Sequence, residues 1–429
     1  MEEDLDILAG LDIGTNTTKI AIAQYSSSLN TLNLIALESI PSAGVNKGVV
    51  NNINAVADKM QILINSITKN YSIELNTINL AIKDPNIKQL QHKFVITRNP
   101  GQAISVGDID RLINDAYELA VLPGRSILNA APIYYNLDNE TGIINPVGRM
   151  ATHIEAYFNI ILGETFVLHN LSKCINKVNL NINEVIFSPL ASAEACLVNE
   201  EREAGAILVN IGSETTEISI FQENVLSYIN VIPIGSNLIT KDIAEALQIL
   251  PKQAESIKIE YGSALATSNA DIPIPVAGLR GDIFKTIPSR DLNYIIQIRS
   301  EEILEYIIAE IKNAGISSKL LGGIILVGGG AKTKNIDILA RHMFNTPVRI
   351  GNPSEHINGP YKDKMIDPIF ATAIGLTVNY KNNIKNQEAV FKSLGTVKKK
   401  TSNWFGKIIK KTLISDLLNN DTNDKDFIK

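Results

Sequence analysis

Cysteine is almost missing from this chain. Cys174 and Cys196 are the only two in 429 residues, too few for a disulfide framework, and they read as reduced, buried thiols. Histidine is sparse too. His92, His153, His169, His342 and His356 are scattered, with no His-x₃-His or Cys-x₂-Cys spacing, which argues against a zinc site. Positive charge is not in surplus: 40 Lys and Arg face 45 Asp and Glu, for a net charge of −5. No nucleic-acid partner is therefore expected for the chain as a whole. No apolar run approaches the ~20 residues that cross a bilayer. The start, Met1-Glu2-Glu3-Asp4, lacks the basic and apolar character of a signal peptide, so a cytosolic setting is expected.

What is present is an ordinary globular balance, 45% hydrophobic and 20% charged. The length calls for two or more domains. Leu11-Asp12-Ile13-Gly14-Thr15-Asn16-Thr17-Thr18-Lys19 is an apolar strand running into a small polar turn and then into a second apolar run. Such a turn exposes backbone N–H groups and hydroxyls that can wrap phosphate oxygens. Asp12 stands at its mouth, where a carboxylate can hold a Mg²⁺-bound water. The layout recurs about two hundred residues later, at Val209-Asn210-Ile211-Gly212-Ser213-Glu214-Thr215-Thr216-Glu217. Two phosphate hairpins suggest duplicated halves clamping one nucleotide.

Between and beyond the hairpins the pattern is α/β. Strands are expected at Ile7–Ile13, Lys19–Tyr25 and Leu32–Ser39, a helix over Ile53–Tyr71 and a buried strand at Ile78–Ile82. Residues 84–166 interrupt that order as a small α+β insert. It holds a helix capped by Ser105 and Asp108, short strands near Ile127–Ala131 and Ile133–Leu137, and a strand over His153–Leu162. Small-residue helices follow at Pro189–Ala195 and at Ala371–Leu376, and their composition permits close backbone approach. Helices are expected over Asn237–Leu250, Pro251–Tyr261 and Asp291–Ala314, and a strand ends at Gly328-Gly329-Gly330.

Taken together, these motifs resemble the actin/Hsp70/sugar-kinase superfamily, and within it the FtsA family of bacterial cell-division proteins. Supporting features are the loop Pro41-Ser42-Ala43-Gly44 with Lys47-Gly48, the insert before Glu164, and Ser289-Arg290-Asp291-Leu292 followed by Arg299. The resemblance implies a two-lobed actin-like fold, a duplicated βββαβα core whose α+β insert replaces the usual actin subdomain, with a C-terminal amphipathic helix. Lobe 1 is expected over 1–83 and 167–200 with the insert at 84–166. Lobe 2 is expected over 201–240 and 321–366 with its upper subdomain at 241–320. The chain would return to lobe 1 over 367–380, followed by a linker over 381–402 and the terminal helix over 403–418.

By the same resemblance the cofactors are ATP and Mg²⁺. Asp12, Gly14, Thr15, Asn16, Thr17 and Lys19 would meet the phosphates from the first lobe, and Asn210, Gly212, Thr215 and Thr216 from the second. Glu255 and Lys258 would flank adenine and ribose, although by spacing alone they form an i, i+3 ion pair. Gly328, Gly329 and Gly330 would underlie the α-phosphate and base. Asp12 would be the Mg²⁺ residue, acting through water. The chain departs from the family where the second hairpin usually starts with aspartate and carries paired glycines; here stand Asn210, Ser213 and Glu214. An amide carries no negative charge toward a metal, so at most slow hydrolysis is expected. An alternative is a sugar kinase or exopolyphosphatase-type enzyme, for which Asp12 and Glu194 are the candidate catalytic carboxylates.

The partners implied by the resemblance are the C-terminal peptide of FtsZ, met by Arg299, Glu302, Glu305 and Lys312, further copies of the chain in filaments, and later division proteins. The end of the chain adds a lipid surface. On a helical wheel of ~100° per residue starting at Trp404, Ile408, Phe405, Ile409 and Leu413 fall at ~40–180° and Lys410, Lys407 and Lys411 at ~240–340°. An apolar half with two aromatics opposite a lysine half lies in the headgroup plane of anionic membrane lipids. Lys398-Lys399-Lys400 adds charge upstream. The expected location is peripheral, on the cytoplasmic side of the inner membrane at the septum.

Overall fold

The computed structural model describes residues 5–26, 29–267, 271–277, 284–315 and 320–379. Two five-stranded sheets of the same design form its frame. The first runs in the order Asn181–Phe187, Thr77–Ile82, Leu5–Ile13, Thr17–Ser26, Thr31–Pro41. The second runs in the order Val225–Ile232, Thr216–Gln222, Ala206–Ile211, Gly323–Val327, Val348–Ile350. In each, the strand entering a phosphate turn pairs antiparallel with the strand leaving it and parallel with a crossover strand. The duplication expected from the hairpins is therefore carried by the whole sheet.

The second sheet explains why Ala206–Ile211 reads as an unbroken apolar run. Alternate residues on a strand face opposite ways. Ile207, Val209 and Ile211 pack into the core of their own lobe. Ala206 and Leu208 join Phe221, Leu226, Ile229, Ile325 and Val327 in the same apolar cluster as the first lobe's strands and helices. Both faces are covered, as befits a central strand with parallel and antiparallel neighbours. On the first sheet, helices Ile53–Tyr71 and Thr165–Lys177 supply the cover, and Asn52 caps the former by accepting from the Ala55 N–H.

The insert is a four-stranded antiparallel sheet ordered Lys88–Thr97, His153–Glu164, Arg125–Leu137, Glu140–Ile143, with helix Val106–Tyr117 across it. Ser105 and Asp108 form the expected reciprocal cap. Two expectations need correction. The two short strands around residues 127–131 and 133–137 are one strand, because a bulge opposite Tyr157 and Phe158 absorbs the break at Pro132. The strand Lys88–Thr97 was not foreseen. It is an edge, and its outward positions carry Gln89, Gln91 and Lys93, so only Leu90, Phe94 and Ile96 face the core. Gln89 also ties the insert to the second lobe, donating to the Ser227 carbonyl at 2.7 Å and accepting from the Ile229 N–H at 3.2 Å.

The two small-residue helices meet beneath both sheets. A Cβ on Gly375 would lie 1.7 Å from the Ala191 carbonyl oxygen, and one on Gly10 would lie 2.4 Å from that of Ala373. Ser192 and Thr372 share a hydrogen bond of 2.9 Å at the crossing. The approach is backbone on backbone, so no side chain can swing aside. Gly375→Val is expected to lower the unfolding free energy by about 3 kcal/mol, the upper range for an overpacked core site, as read by denaturant melts. Melts matching the parent would mean that the helices do not cross this closely.

Candidate functional site

A cleft of about 610 Å³ opens between the two sheets, where their phosphate turns face each other. The turns are built alike. The Gly14 N–H donates to the Thr17 carbonyl at 3.1 Å, and the Gly212 N–H to that of Thr215 at 2.9 Å. A Cβ at either glycine would lie 2.8 Å from that same carbonyl oxygen, which fixes glycine at both places. Across the mouth, Glu214 accepts from the Lys47 N–H at 2.8 Å, and Thr15 Oγ1 accepts from that of Gly48 at 2.9 Å.

The strand ending at Val327 delivers three glycines with three different roles. Gly328 has φ +84°, and a Cβ there would lie 2.2 Å from Asn210 Oδ1. Gly330 is sealed against Ile211 and does not line the cleft. Gly329 has ordinary helical angles, φ −67° and ψ −34°, and a Cβ there would meet nothing within 4 Å. It leaves a bare backbone edge facing the cavity.

The cleft floor is electrostatically closed. Register places Lys19 opposite Asp12 and Glu217 opposite Asn210, the same seven-residue offset in both halves. Lys19 Nζ sits 2.7 Å from Asp12 Oδ2, and Lys83 Nζ sits 2.9 Å from Oδ1. The Asp12 side chain is 1% exposed. Burial alone would raise its carboxyl, but the two ammonium groups outweigh burial and hold it well below the usual carboxylate range. Asn210 Nδ2 donates to Glu217 Oε2 at 2.9 Å. Burial pushes the Glu217 carboxyl up, with Lys83 and Asn210 opposing.

Two family models match the chain: "Cell division protein FtsA" over residues 207–375 and "SHS2 domain inserted in FTSA" over residues 84–162. "Cell division protein FtsA" of Neisseria meningitidis serogroup B is 31% identical over 378 residues, covering 88% of this chain and 90% of that one. Its counterpart from Borreliella burgdorferi is 32% identical over 411 residues, covering 93% and 98%. The chain belongs to the FtsA family of cell-division proteins. Solved structures add the fold at lower identity. The "PilM-PilN type IV pilus biogenesis complex" has a TM-score of 0.61 at 15% identity, covering 87% of this chain and 98% of that one. MreB5 of Spiroplasma citri bound to ADP has a TM-score of 0.52 at 16%, covering 89% and 98%.

For this FtsA family member, most residues expected to meet a nucleotide converge on the cleft: Asp12, Gly14, Thr15, Asn16, Thr17, Lys19, Asn210, Gly212, Thr215, Glu255, Lys258, Gly328 and Gly329. Lys258 is held 2.7 Å from Glu255 and 2.8 Å from Thr240 Oγ1. Thr216 does not line the cleft; it is fully buried and donates to the Ile234 carbonyl at 2.8 Å. Glu194 lies outside the cleft lining and pairs with Arg202 at 2.7 Å. Sequence reasoning overlooked Lys83. Its signal was topological: it follows Thr77–Ile82, the strand parallel to that of Asp12.

On helix Ser289–Asn313, Arg299 is engaged within the chain by Asp242 and Glu302. Glu305 and Lys312 are exposed. The residues of the terminal segment, Trp404, Phe405, Lys407, Ile408, Ile409, Lys410, Lys411 and Leu413, lie outside the described residues.

Asp12→Asn would leave two largely buried ammonium groups without their shared counter-ion, so a loss of about 3 kcal/mol is expected. Because the folded carboxyl sits below the unfolded value of ~3.9, its stabilisation is present at neutral pH and fades as pH falls below about 4. Urea melts of both proteins at pH 7 and pH 3 check this. The gap should be wide at pH 7 and narrower at pH 3.

Proposed function

We propose that this chain binds ATP in the cleft and works as an actin-like division protein that anchors FtsZ filaments to the inner face of the cytoplasmic membrane. The observation carrying the nucleotide reading is the pair of facing phosphate turns, closed on one side by the bare edge at Gly329. The cavity volume suits a nucleotide-sized ligand. Relatives of this fold support it: the MreB5 structures of Spiroplasma citri are titled as bound to ADP and to AMPPNP. The donor set argues for slow turnover at most. The Asn210 amide is spent on Glu217, and Glu194, the base the kinase or exopolyphosphatase reading needs, stands apart from the cleft. The expected water-bound Mg²⁺ on Asp12 fits poorly, since the carboxylate already faces two ammonium groups, at 2.7 and 2.9 Å, whose charge would repel a dication.

In this reading lobe 1 comprises 1–83 and 167–200, and lobe 2 comprises 201–240 and 321–366. The insert 84–166 and the upper subdomain 241–320 are available for head-to-tail filament contacts. Among the described residues no helix is long and apolar enough to cross a membrane. The anchor is the segment from Trp404 to Leu413, whose apolar and lysine halves suit an anionic lipid surface. The exposed Glu305 and Lys312 offer charges to the FtsZ peptide, with Arg299 and Glu302 beside them, and later division proteins join the assembly.

Gly329→Leu tests the cleft, because the backbone there accepts a side chain and the cavity does not. ATP affinity should fall at least ~30-fold, about 2 kcal/mol, with an unchanged thermal melt. Phosphate release by the parent protein should be far below one per second; turnover of several per second would reopen the kinase reading.

Liposome flotation tests the tether. Trp404→Glu with Phe405→Glu should leave the protein in solution while preserving ATP binding, and high salt should weaken the parent's hold on anionic vesicles. A Glu305→Lys, Lys312→Glu variant should still float but carry less FtsZ with it. If the tail variant floats, the anchor lies elsewhere; if the helix variant recruits FtsZ fully, the peptide binds another surface.

A further inference from the structure

We propose that Lys83 is a built-in counter-cation for the nucleotide's phosphates, so that this chain binds ATP without a divalent metal ion. The inference rests on the ATP reading of the cleft. A divalent ion beside phosphates needs carboxylate oxygens, directly or through water. Here each Asp12 oxygen lies close to an ammonium group, Lys19 at 2.7 Å and Lys83 at 2.9 Å, so a dication brought to this carboxylate would be repelled by two positive charges. The position that duplicates Asp12 in the second half is Asn210, a neutral amide. Its nitrogen donates to Glu217, and its oxygen faces the Gly328 backbone. Glu217 is itself 4% exposed. Among the described residues no three His, Cys, Asp or Glu side chains converge as a metal-ligand set.

Two ammonium groups, Lys19 and Lys83, flank the one floor carboxyl held well below the usual carboxylate range, Asp12, while burial pushes the Glu217 carboxyl up. One carboxylate needs one ammonium partner, and Asp12 has two. The Lys19 pairing follows from strand register. Lys83 is the additional cation, delivered from the neighbouring parallel strand. Its stem is packed, with a Cβ at Gly48 falling 3.4 Å from Lys83 Cβ, and its side chain is 15% exposed, on the cleft lining. An ammonium has three N–H donors, so Lys83 can keep Asp12 and still meet a phosphate oxygen as a fixed point charge.

The test is equilibrium binding of ATP to the full-length protein in excess Mg²⁺ and in EDTA. The parent's dissociation constant is expected to differ by less than ~3-fold between the two. Lys83→Met, checked for an intact thermal melt, should lose at least ~10-fold in EDTA and recover part of it in Mg²⁺, while Lys83→Arg should bind in EDTA like the parent. Parent binding that is strong in Mg²⁺ and at least ~10-fold weaker in EDTA would overturn the inference and leave the ATP reading standing. A folded Lys83→Met that binds in EDTA as the parent does would also overturn it. No ATP binding in either buffer would overturn both. If Lys83→Met fails to fold, the parent comparison and Lys83→Arg decide alone.

Discussion

The Asp12 carboxylate, buried between two ammonium groups, is the constraint on which the centre of this molecule depends. Burying an ion costs several kcal/mol unless partners compensate it. Here compensation comes from two different strands, so the ion pairs form only when both are in register. Lys19 reaches Asp12 because Thr17–Ser26 pairs antiparallel with Leu5–Ile13 at that position. Lys83 reaches it because Thr77–Ile82 lies parallel on the other side. A one-residue slip of either strand would turn its lysine to the opposite face and leave a charge stranded. The polar floor thus specifies the sheet as much as the sheet positions the floor.

The second half repeats this arrangement in weaker form. Asn210 and Glu217 occupy the positions of Asp12 and Lys19, with the charged member on the outgoing strand and a neutral amide on the incoming one. Duplication therefore preserved the backbone turn, whose hydrogen bond is nearly the same length in both halves, while the side chains diverged. What the backbone offers a phosphate is common to both turns. What the side chains offer differs in charge, and that difference decides which counter-ion the cleft can use.

Much of this was legible in the sequence because it rests on local signals. Glycine-bearing turns between apolar strands, the Ser105 and Asp108 cap, and small-residue helices each follow from steric rules that act within a few residues. The helix boundaries Ile53 and Tyr71 follow from apolar spacing and the Asn52 cap. What was missed depends on partners distant in sequence. Lys88–Thr97 is an edge strand whose polar face hides its alternation. Lys83 sits 71 positions from Asp12 and gains its role only when the crossover strand docks. Glu194 was a reasonable carboxylate by type, but its helix turns it toward Arg202. The short helix-forming and turn-forming rules carry no information about which way a side chain faces after such docking.

The joints between the lobes differ in stiffness. Beneath the cleft they share an apolar cluster that takes in Leu208, Phe221, Leu226 and Val327 from the second sheet. There the helices also touch backbone to backbone at Gly375 and Ala191. Close-packed interiors resist any displacement that opens a void or a clash, so this joint is stiff. At the mouth lies the solvent-exposed hydrogen bond from the Lys47 N–H to the half-buried Glu214. Such a bond contributes only about 0.5–1.5 kcal/mol net, since water readily replaces either partner. The soft latch is a side chain carried on a turn whose backbone hydrogen bond matches that of the first turn. Relative motion of the lobes therefore costs least at the mouth, where a ligand must enter, and most at the floor.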